Sequence, residues 1–169
     1  MTLTATLRDA FAAGFTQLTG GHDPGEIVGY GVCSDGDASS LYLAAHTRIA
    51  RDEQIAEHPD YASEYVWNPD EWDLPDEDDA THDLVPAANQ AIEALDDSDI
   101  AAHCETVWSA AVDAMAQLVD EGFFGRSPEA IRAVRIMDGG DEAAQCDWNV
   151  RINGEDRRPE LAEYFGVEE

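Results

Sequence analysis

The first twenty residues carry apolar side chains at the i, i+3, i+4, i+7 spacing of an amphipathic helix. This stripe consists of Leu3, Leu7, Ala10, Phe11, Gly14, Phe15 and Leu18. Thr2 or Thr4 can cap the start of such a helix, and Gly20-Gly21 ends it. The pattern therefore predicts that the chain opens with a helix packed against a core.

Two short apolar runs, residues 27–33 and 41–45, follow this helix and flank a polar turn. The turn contains Asp35-Gly36, a pair that favours the positive φ of a tight hairpin. We therefore predict two antiparallel strands, with the small Gly29-Tyr30-Gly31 segment packed inside the hairpin. A dinucleotide-binding loop is not indicated, because G-x-G-x-x-G needs a third glycine that opens a helix, and position 34 is Ser.

A short helix over residues 48–57 is predicted after the second strand, with Thr47 as its cap and Pro59 beyond its end. The aromatic stretch 65–72 comes next. Because Pro69 interrupts it, we interpret this stretch as an ordered loop or an edge strand. An acidic loop, residues 73–79, follows it.

Two helical stripes lie in the second half of the chain. The first consists of Leu84, Ala88, Ala91, Ile92 and Leu95, and the longer second one of Ile100, Cys104, Val107, Trp108, Ala111, Met115, Leu118 and Val119. Ser98 or Asp99 can start the longer helix, and Gly122 stands where a C′ glycine can end it.

A third strand is predicted over residues 131–137, which lie between Pro128 and Gly139. Residues 143–152 satisfy both the alternation of a strand and an i, i+4, i+8 helical face, and we favour a helix. A short helix is predicted over residues 159–165. The fold class that follows is α+β, with residues 1–169 as a single domain. In it, a small antiparallel sheet, made of the hairpin and at least one later strand, packs with several amphipathic helices.

The net charge narrows the classes of partner. The chain has 37 Asp and Glu against nine Arg and no Lys, so the net charge is −28 with the five histidines neutral. The absence of Lys excludes Schiff-base and P-loop lysine chemistry. The acidity disfavours nucleic acid and anionic membranes as partners, since both bind through clustered Lys and Arg. Any charged partner is therefore expected to be basic.

The charge is concentrated in the middle of the chain. Residues 52–125, the acidic segment, contain 21 Asp and Glu and neither Arg nor Lys, whereas residues 1–51 and 126–169 carry −2 and −5. Two interpretations stay open. The acidity is either a solvated, halophile-like surface or a face that attracts a basic partner.

One partial motif bears on zinc chemistry. His103-Cys104-Glu105 contains the H-x-E half of a zinc deaminase signature without its P-C-x-x-C half. We interpret it as a core cysteine beside a surface histidine and glutamate, and we predict no metal site, no cofactor and no catalytic residue. The other histidines lack metal-site spacing and are expected in loops or at caps; they are His22, His46, His58 and His82.

The cysteine content and the N-terminal residues predict a cytoplasmic protein. The chain has three cysteines and no C-x-x-C pair, which indicates neither a disulfide framework nor a zinc knuckle. Arg8 and Asp9 interrupt the apolar residues near the start, so no signal peptide is predicted. No apolar run approaches the ~20 residues of a membrane span.

The most distinctive motifs are residues 67–72, with the sequence Trp-Asn-Pro-Asp-Glu-Trp, and residues 121–125, Glu-Gly-Phe-Phe-Gly. Together they resemble a bacterial family known as domain of unknown function 4303, and the resemblance extends over almost the whole chain. Two positions differ. This chain has His46-Thr47 where the family tends to have Asn-Thr, and Ile152-Asn153-Gly154 where it tends to have Leu-Asn-Pro.

The resemblance implies no established enzyme activity. It implies a role beside polymorphic toxins, as an immunity protein that blocks a toxin in the cytoplasm. Trp67 and Trp72 then have two interpretations, either as residues that pin a proline-containing loop to the core or as anchors at an interface. The candidate partner-binding residues are Trp67, Asp70, Glu71, Trp72, Asp76, Glu77, Asp78 and Asp79.

The leading hypothesis is therefore a non-enzymatic binding protein that neutralises a basic toxin or another basic protein. One alternative is a metal-dependent hydrolase or other enzyme built from carboxylates and His82 or His103. A second alternative is an acidic protein of a salt-adapted cell.

Overall fold

The computed structural model describes residues 2–74, 84–125, 129–137 and 139–168. The elements in chain order are α1 (Leu3–Leu18), β1 (Ile27–Ser34), β2 (Tyr42–Thr47), α2 (Arg48–Glu57), α3 (Ala62–Trp67), α4 (Pro86–Glu93), α5 (Ile100–Asp120), β3 (Ile131–Ile136), α6 (Glu142–Asn153) and α7 (Arg158–Phe165). Short 3₁₀ turns precede α3 and α7, and a third one, Pro69–Glu71, follows α3. Among the helices of these ranges, none has the length and apolarity to cross a membrane.

Side-chain caps start the helices at the predicted residues. The Thr2 and Thr47 hydroxyl oxygens accept backbone N–H groups at the starts of α1 and α2, and the Asp99 carboxylate does so for α5. Gly122 follows α5 with φ of 73°, the left-handed conformation expected of a C′ glycine. The predictions for these three helices are confirmed.

The predicted α+β class is confirmed, but the sheet is mixed rather than antiparallel. The strand order is β2-β1-β3, with β1 antiparallel to β2 and parallel to β3. A parallel pair needs a long crossover, and the helices between β2 and β3 supply it. The hairpin is as predicted except in its turn, where the positive φ falls at Ala38 (53°) rather than at Gly36.

The interpretation of residues 65–72 as a loop or an edge strand is wrong. The segment is helical, consisting of the end of α3 and the 3₁₀ turn that follows. Asn68 separates the two and caps the turn through its side-chain oxygen, and Pro69 occupies the first position of the turn. Proline is tolerated there because the first N–H groups of a helix have no intrahelical partner.

The main core lies on one face of the sheet. Alternate residues of each strand point to the same face. Those on this face pack against α1, α4 and α5, and examples are Tyr30, Val32, Leu43, Ala45 and Val134. The apolar stripe of α1 is buried here, with Phe11 and Phe15 fully inaccessible to solvent. Burial of this stripe stabilises a helix that would be marginal in isolation.

Small residues line the opposite face of the sheet. A Cβ at Gly29 or Gly31 would lie 3.0–3.1 Å from the Trp72 indole ring, and at Gly31 it would also lie 2.9 Å from Pro69. Ala44 and Ala133 complete a small cluster with Trp72. The prediction that this glycine segment packs closely is confirmed, and the reason is the flat indole that covers it.

Side-chain amides of α6 close the β3 edge of the sheet. Their oxygens accept the backbone N–H groups of the strand at 2.9–3.0 Å, with Asn153 bound to Arg132, Asn149 to Val134 and Gln145 to Ile136. Asn149 and Asn153 also donate from Nδ2 to the carbonyl oxygens of the same strand residues. This amide ladder occupies hydrogen-bonding groups that an edge strand would otherwise offer to another chain.

The β2 edge is also bound by other parts of the chain. The Asn89 side chain of α4 accepts from the Leu41 N–H at 2.8 Å and donates to the Leu41 carbonyl at 3.1 Å. Further along, Ala45 and Leu74 exchange two backbone hydrogen bonds. Recognition by strand addition, which needs a free edge, is therefore disfavoured for this fold.

Candidate functional site

The two tryptophans among the candidate partner-binding residues are packed inside the protein. Trp67 and Trp72 expose 2% and 6% of their surface. Trp67 lies in a second, smaller core with residues of β3, α6 and α7, and its Nε1 donates to Glu160 at 3.0 Å. Trp72 covers the glycine face of the sheet. Both positions match the interpretation that these residues pin the segment to the core.

The acidic residues predicted beside the tryptophans divide into two groups. Asp70 and Glu71 are exposed, and Asp70 accepts a hydrogen bond from the Tyr42 hydroxyl at 3.2 Å. The remaining four, Asp76, Glu77, Asp78 and Asp79, lie outside the described residues. Their role in binding a partner stays a prediction.

A hydrogen-bonded cluster that the sequence did not indicate lies beside Trp72. The His46 ring stacks on the indole with an interplanar angle of 7°, and its Nδ1 lies 2.8 Å from Asp73 Oδ1. Asp73 also accepts from the Thr47 backbone N–H and hydroxyl, both at 2.7 Å. The expectation that His46 lies in a loop or at a cap is wrong, because it is a strand residue with 1% exposure.

Opposing effects act on the pKa of Asp73. Burial raises it, but the hydrogen bonds from His46 and Thr47 outweigh burial and lower the pKa from 3.8 to about 2. The carboxylate is therefore held in its charged form, and it ties β2 to the segment after the 3₁₀ turn. His46 and Thr47 therefore have a structural role in this chain.

We expect Asp73→Asn to lower the free energy of unfolding by about 1 kcal/mol at neutral pH, after allowance for the screening of a half-buried group. A depressed pKa stabilises the fold above the unfolded-state pKa. The difference between wild type and variant should therefore be full above about pH 4 and disappear as the pH falls through about 2. Urea unfolding at several pH values measures it.

The matched control is Asp60→Asn, which removes an exposed carboxylate from the same acidic segment. It should change the free energy of unfolding by less than about 0.5 kcal/mol at every pH. An equal loss in both variants, or a loss in Asp73→Asn that persists at pH 2, would contradict the assignment of the stabilisation to the charged Asp73.

The His46–Asp73 pair resembles the base and the orienting acid of a catalytic triad, but the ring nitrogen of His46 that would face a substrate is buried. His46 Nε2 is buried without a hydrogen-bond partner among the described residues. A general base needs a substrate proton within hydrogen-bond reach. Burial strongly raises the pKa of Cys33 on the adjacent strand, so that thiol is unreactive. The cluster therefore stabilises the fold rather than forming an open catalytic centre.

A cavity of about 240 Å³ lies where the β1–β2 loop meets the connection between α4 and α5. We call it the acidic cavity, and its lining consists of Asp37, Ser39, Ile92, Glu93, Leu95, Asp97, Ile100 and His103. A second depression adjoins it and shares Leu95 and His103. Asp96 and Asp99 line this second depression, so carboxylates surround both hollows.

Two contacts from α5 hold the loop that forms one wall of the acidic cavity. His103 Nε2 lies 3.3 Å from the carbonyl oxygen of Ala38, and Cys104 Sγ donates to the carbonyl of Gly36. The interpretation of His103 as a surface residue is wrong, whereas Cys104 is half-buried and packs against the main core. The histidine is 7% exposed, and the cysteine is the more accessible of the two.

The charge of the acidic cavity is not neutralised locally. Among the described residues, no arginine lines it, and none of the salt bridges involves Asp37, Glu93 or Asp97. The pKa of Asp37 is lowered by hydrogen bonds, first with Asp35 and then with Ser39. The cavity is therefore an anionic site at neutral pH.

The described residues contain no cluster of three or more His, Cys, Asp or Glu side chains positioned to hold a metal ion. His82, one of the two histidines of the enzyme alternative, lies outside these residues. The other, His103, binds the loop carbonyl as described above. The enzyme alternative stays a prediction without a described site.

Comparison with known proteins gives a family and no relative of known function. The model of a domain of unknown function, DUF4303, matches residues 7–154. No curated protein and no solved structure matches the chain significantly. Because the family model covers most of the sequence, the chain belongs to the DUF4303 family.

Proposed function

We propose that this chain is a non-enzymatic binding protein for a basic protein partner, and that its cellular role is that of a cytoplasmic immunity protein that neutralises a toxin. The observation that carries the proposal is the segregation of charge. The acidic segment, residues 52–125, holds 21 carboxylates and neither Arg nor Lys. A uniformly solvated, salt-adapted surface would spread its carboxylates more evenly.

The arginines in the described part of the chain are engaged with groups of the protein itself, which leaves the acidic segment available to an external cation. Arg132 and Arg135 lie over aromatic rings. The arginines that form salt bridges are Arg8, Arg48, Arg51, Arg151, Arg157 and Arg158. Within the described ranges, these bridges reach three carboxylates of the acidic segment, Asp52, Asp113 and Glu121.

The closed sheet edges support the same proposal, because they disfavour recognition of a partner by strand addition. Because amide side chains and a backbone bridge occupy both outer strands, a partner would bind to helices and loops rather than add a strand. The acidic segment supplies that surface through α2, α3, α4 and α5. Complementary charge of this kind raises the rate of association and gives specificity for basic surfaces.

Co-expression with the product of the neighbouring gene tests the proposal. We expect the two proteins to co-purify at about 50 mM salt, and the complex to weaken by at least roughly tenfold at 0.5 M salt, where exposed charges are screened. Expression of the chain should also protect growth against that product. An unrelated protein of similar positive charge is the control and should not be retained. Absence of a complex at low salt together with absence of protection would overturn the proposal.

A further inference from the structure

We infer that the acidic cavity is a pocket for an arginine side chain presented by the basic partner. The inference rests on the proposed function, and it names the chemical group that the binding surface recognises. Its starting point is His103, which is more than nine-tenths buried, lines the cavity and has no hydrogen-bond partner at Nδ1 among the described residues.

One ring nitrogen of His103, Nδ1, is left without a hydrogen-bond partner among the described residues. When Nε2–H donates to the Ala38 carbonyl, the neutral ring carries its lone pair on Nδ1. An unsatisfied buried acceptor is costly, and an N–H group of a ligand in the cavity would satisfy it. With the ring neutral, the ligand group that fits this nitrogen is a hydrogen-bond donor.

The walls of the cavity match the two parts of an arginine side chain. The apolar surfaces of Ile92, Leu95 and Ile100 can cover the methylene stem. Ile100 is 55% exposed despite its apolar side chain, so it offers contact area at the mouth. The carboxylates of Glu93 and Asp97 stand beside these surfaces and can pair with the cationic head.

Arginine suits this site better than lysine or a metal ion. The guanidinium group presents five N–H donors in a planar fork, enough to bind carboxylates and a ring nitrogen at once. The cavity of about 240 Å³ is several times the ~30 Å³ of a water molecule, so it has room for a side chain. The described residues also form no metal-binding cluster.

The test is a titration of the ¹⁵N-labelled protein, followed by NMR, with the blocked peptide acetyl-Gly-Arg-Gly-amide. We expect saturable shifts at the amides of the β1–β2 loop and of the α4–α5 connection, with a Kd on the order of 1 mM for so small a probe. The citrulline peptide, which keeps the shape and lacks the charge, should bind at least roughly tenfold more weakly. The lysine peptide should bind more weakly than the arginine peptide.

Two variants locate the binding. Glu93→Gln combined with Asp97→Asn removes two exposed carboxylates of the cavity and should weaken arginine binding at least roughly tenfold. The matched control, Glu53→Gln with Glu57→Gln on α2, removes the same charge from exposed positions elsewhere in the acidic segment and should change Kd less than about twofold.

His103→Gln separates the ligand role of the histidine from its structural role. Glutamine retains an N–H donor for the Ala38 carbonyl but lacks the ring Nδ1. We expect this variant to keep the wild-type spectrum of α5 and to bind the arginine peptide more weakly. Unchanged affinity would mean that His103 only anchors the loop, and it would overturn the inference.

The remaining outcomes also decide the question. Shifts spread over the whole acidic segment, equal loss of affinity in the cavity and control variants, or equal binding of the citrulline peptide would each overturn the arginine pocket.

The proposed function is tested separately by co-purification. If the partner is retained equally by wild type and by the Glu93→Gln, Asp97→Asn variant, the pocket is wrong and the proposed function stands. If the arginine peptide binds in the cavity but no basic partner is retained, the proposed function is wrong.

Discussion

Replacing Trp67 with alanine is expected to lower the free energy of unfolding by about 4 kcal/mol, the largest effect of any single substitution considered for this chain. The indole is 2% exposed and fills the small core between β3, α6 and α7, where it contacts the cluster formed with Ile131, Cys146, Val150, Leu161 and Phe165. Truncation would open a cavity there. It would also leave the Glu160 carboxylate without the Nε1–H donor. Equilibrium unfolding in urea measures the loss.

Two further variants show whether burial is the cause. Trp67→Phe keeps much of the ring and loses the hydrogen bond, so its cost should be about half that of the alanine variant. Tyr61→Ala removes an aromatic ring that is 62% exposed and should cost less than about 0.5 kcal/mol. Near-native stability of Trp67→Ala, combined with loss of partner binding, would show instead that Trp67 is an interface anchor.

Asn149→Ala is expected to lower the free energy of unfolding by about 3 kcal/mol. Asn149 is 2% exposed and binds both the N–H and the carbonyl of Val134 at 3.0 Å. Its removal leaves two buried backbone groups unsatisfied, each at a cost of about 1–3 kcal/mol. It also opens the β3 edge in the middle of the amide ladder, so we expect light scattering to detect faster aggregation of this variant on heating.

The control for the amide ladder is Gln90→Ala on α4, which removes an exposed amide. It should alter neither the free energy of unfolding, within about 0.5 kcal/mol, nor the rate of aggregation. If Asn149→Ala and Gln90→Ala behave alike, the hydrogen bonds between α6 and β3 do not contribute to stability as described.

Helices with local start signals are predictable from the sequence of this chain. Thr2, Thr47 and Asp99 each place a side-chain oxygen next to free N–H groups two or three residues ahead, and this interaction needs nothing from the rest of the fold. The apolar stripes of α1 and α5 show the period of a helix directly. Those elements accordingly lie where the pattern placed them.

The direction of β3 and the structure of residues 65–72 depend on contacts with residues that are distant in sequence. The apolar pattern of residues 131–137 suits a parallel or an antiparallel strand equally, and the helical crossover that decides between them is not a local property. In the same way, Trp72 fits its position because Gly29 and Gly31, far away in sequence, leave a flat surface for the indole. The interpretation that Pro69 interrupts regular structure takes no account of this packing.

The burial of His103 and Cys104 at the acidic cavity also depends on contacts with residues that are distant in sequence. His103 and Cys104 are neighbours at the boundary between the buried and exposed faces of α5, and the apolar stripe favours burial of the cysteine. The carbonyl of Ala38, which is distant in sequence and binds the histidine, reverses that order. The sequence contained a usable signal only for the amide ladder, where Gln145, Asn149 and Asn153 repeat at i, i+4, i+8 directly after a strand.

The most direct test of the central claim, that the acidic segment binds a basic protein, is the affinity for the neighbouring gene product as a function of salt. Calorimetric titration at ionic strengths from about 0.05 to 0.5 M should give a Kd that rises at least roughly tenfold over this range, while the free energy of unfolding of the chain alone changes much less. No binding at the lowest salt, or an affinity independent of salt, would contradict the claim. A large gain in stability with salt in place of binding would assign the charge to solvation.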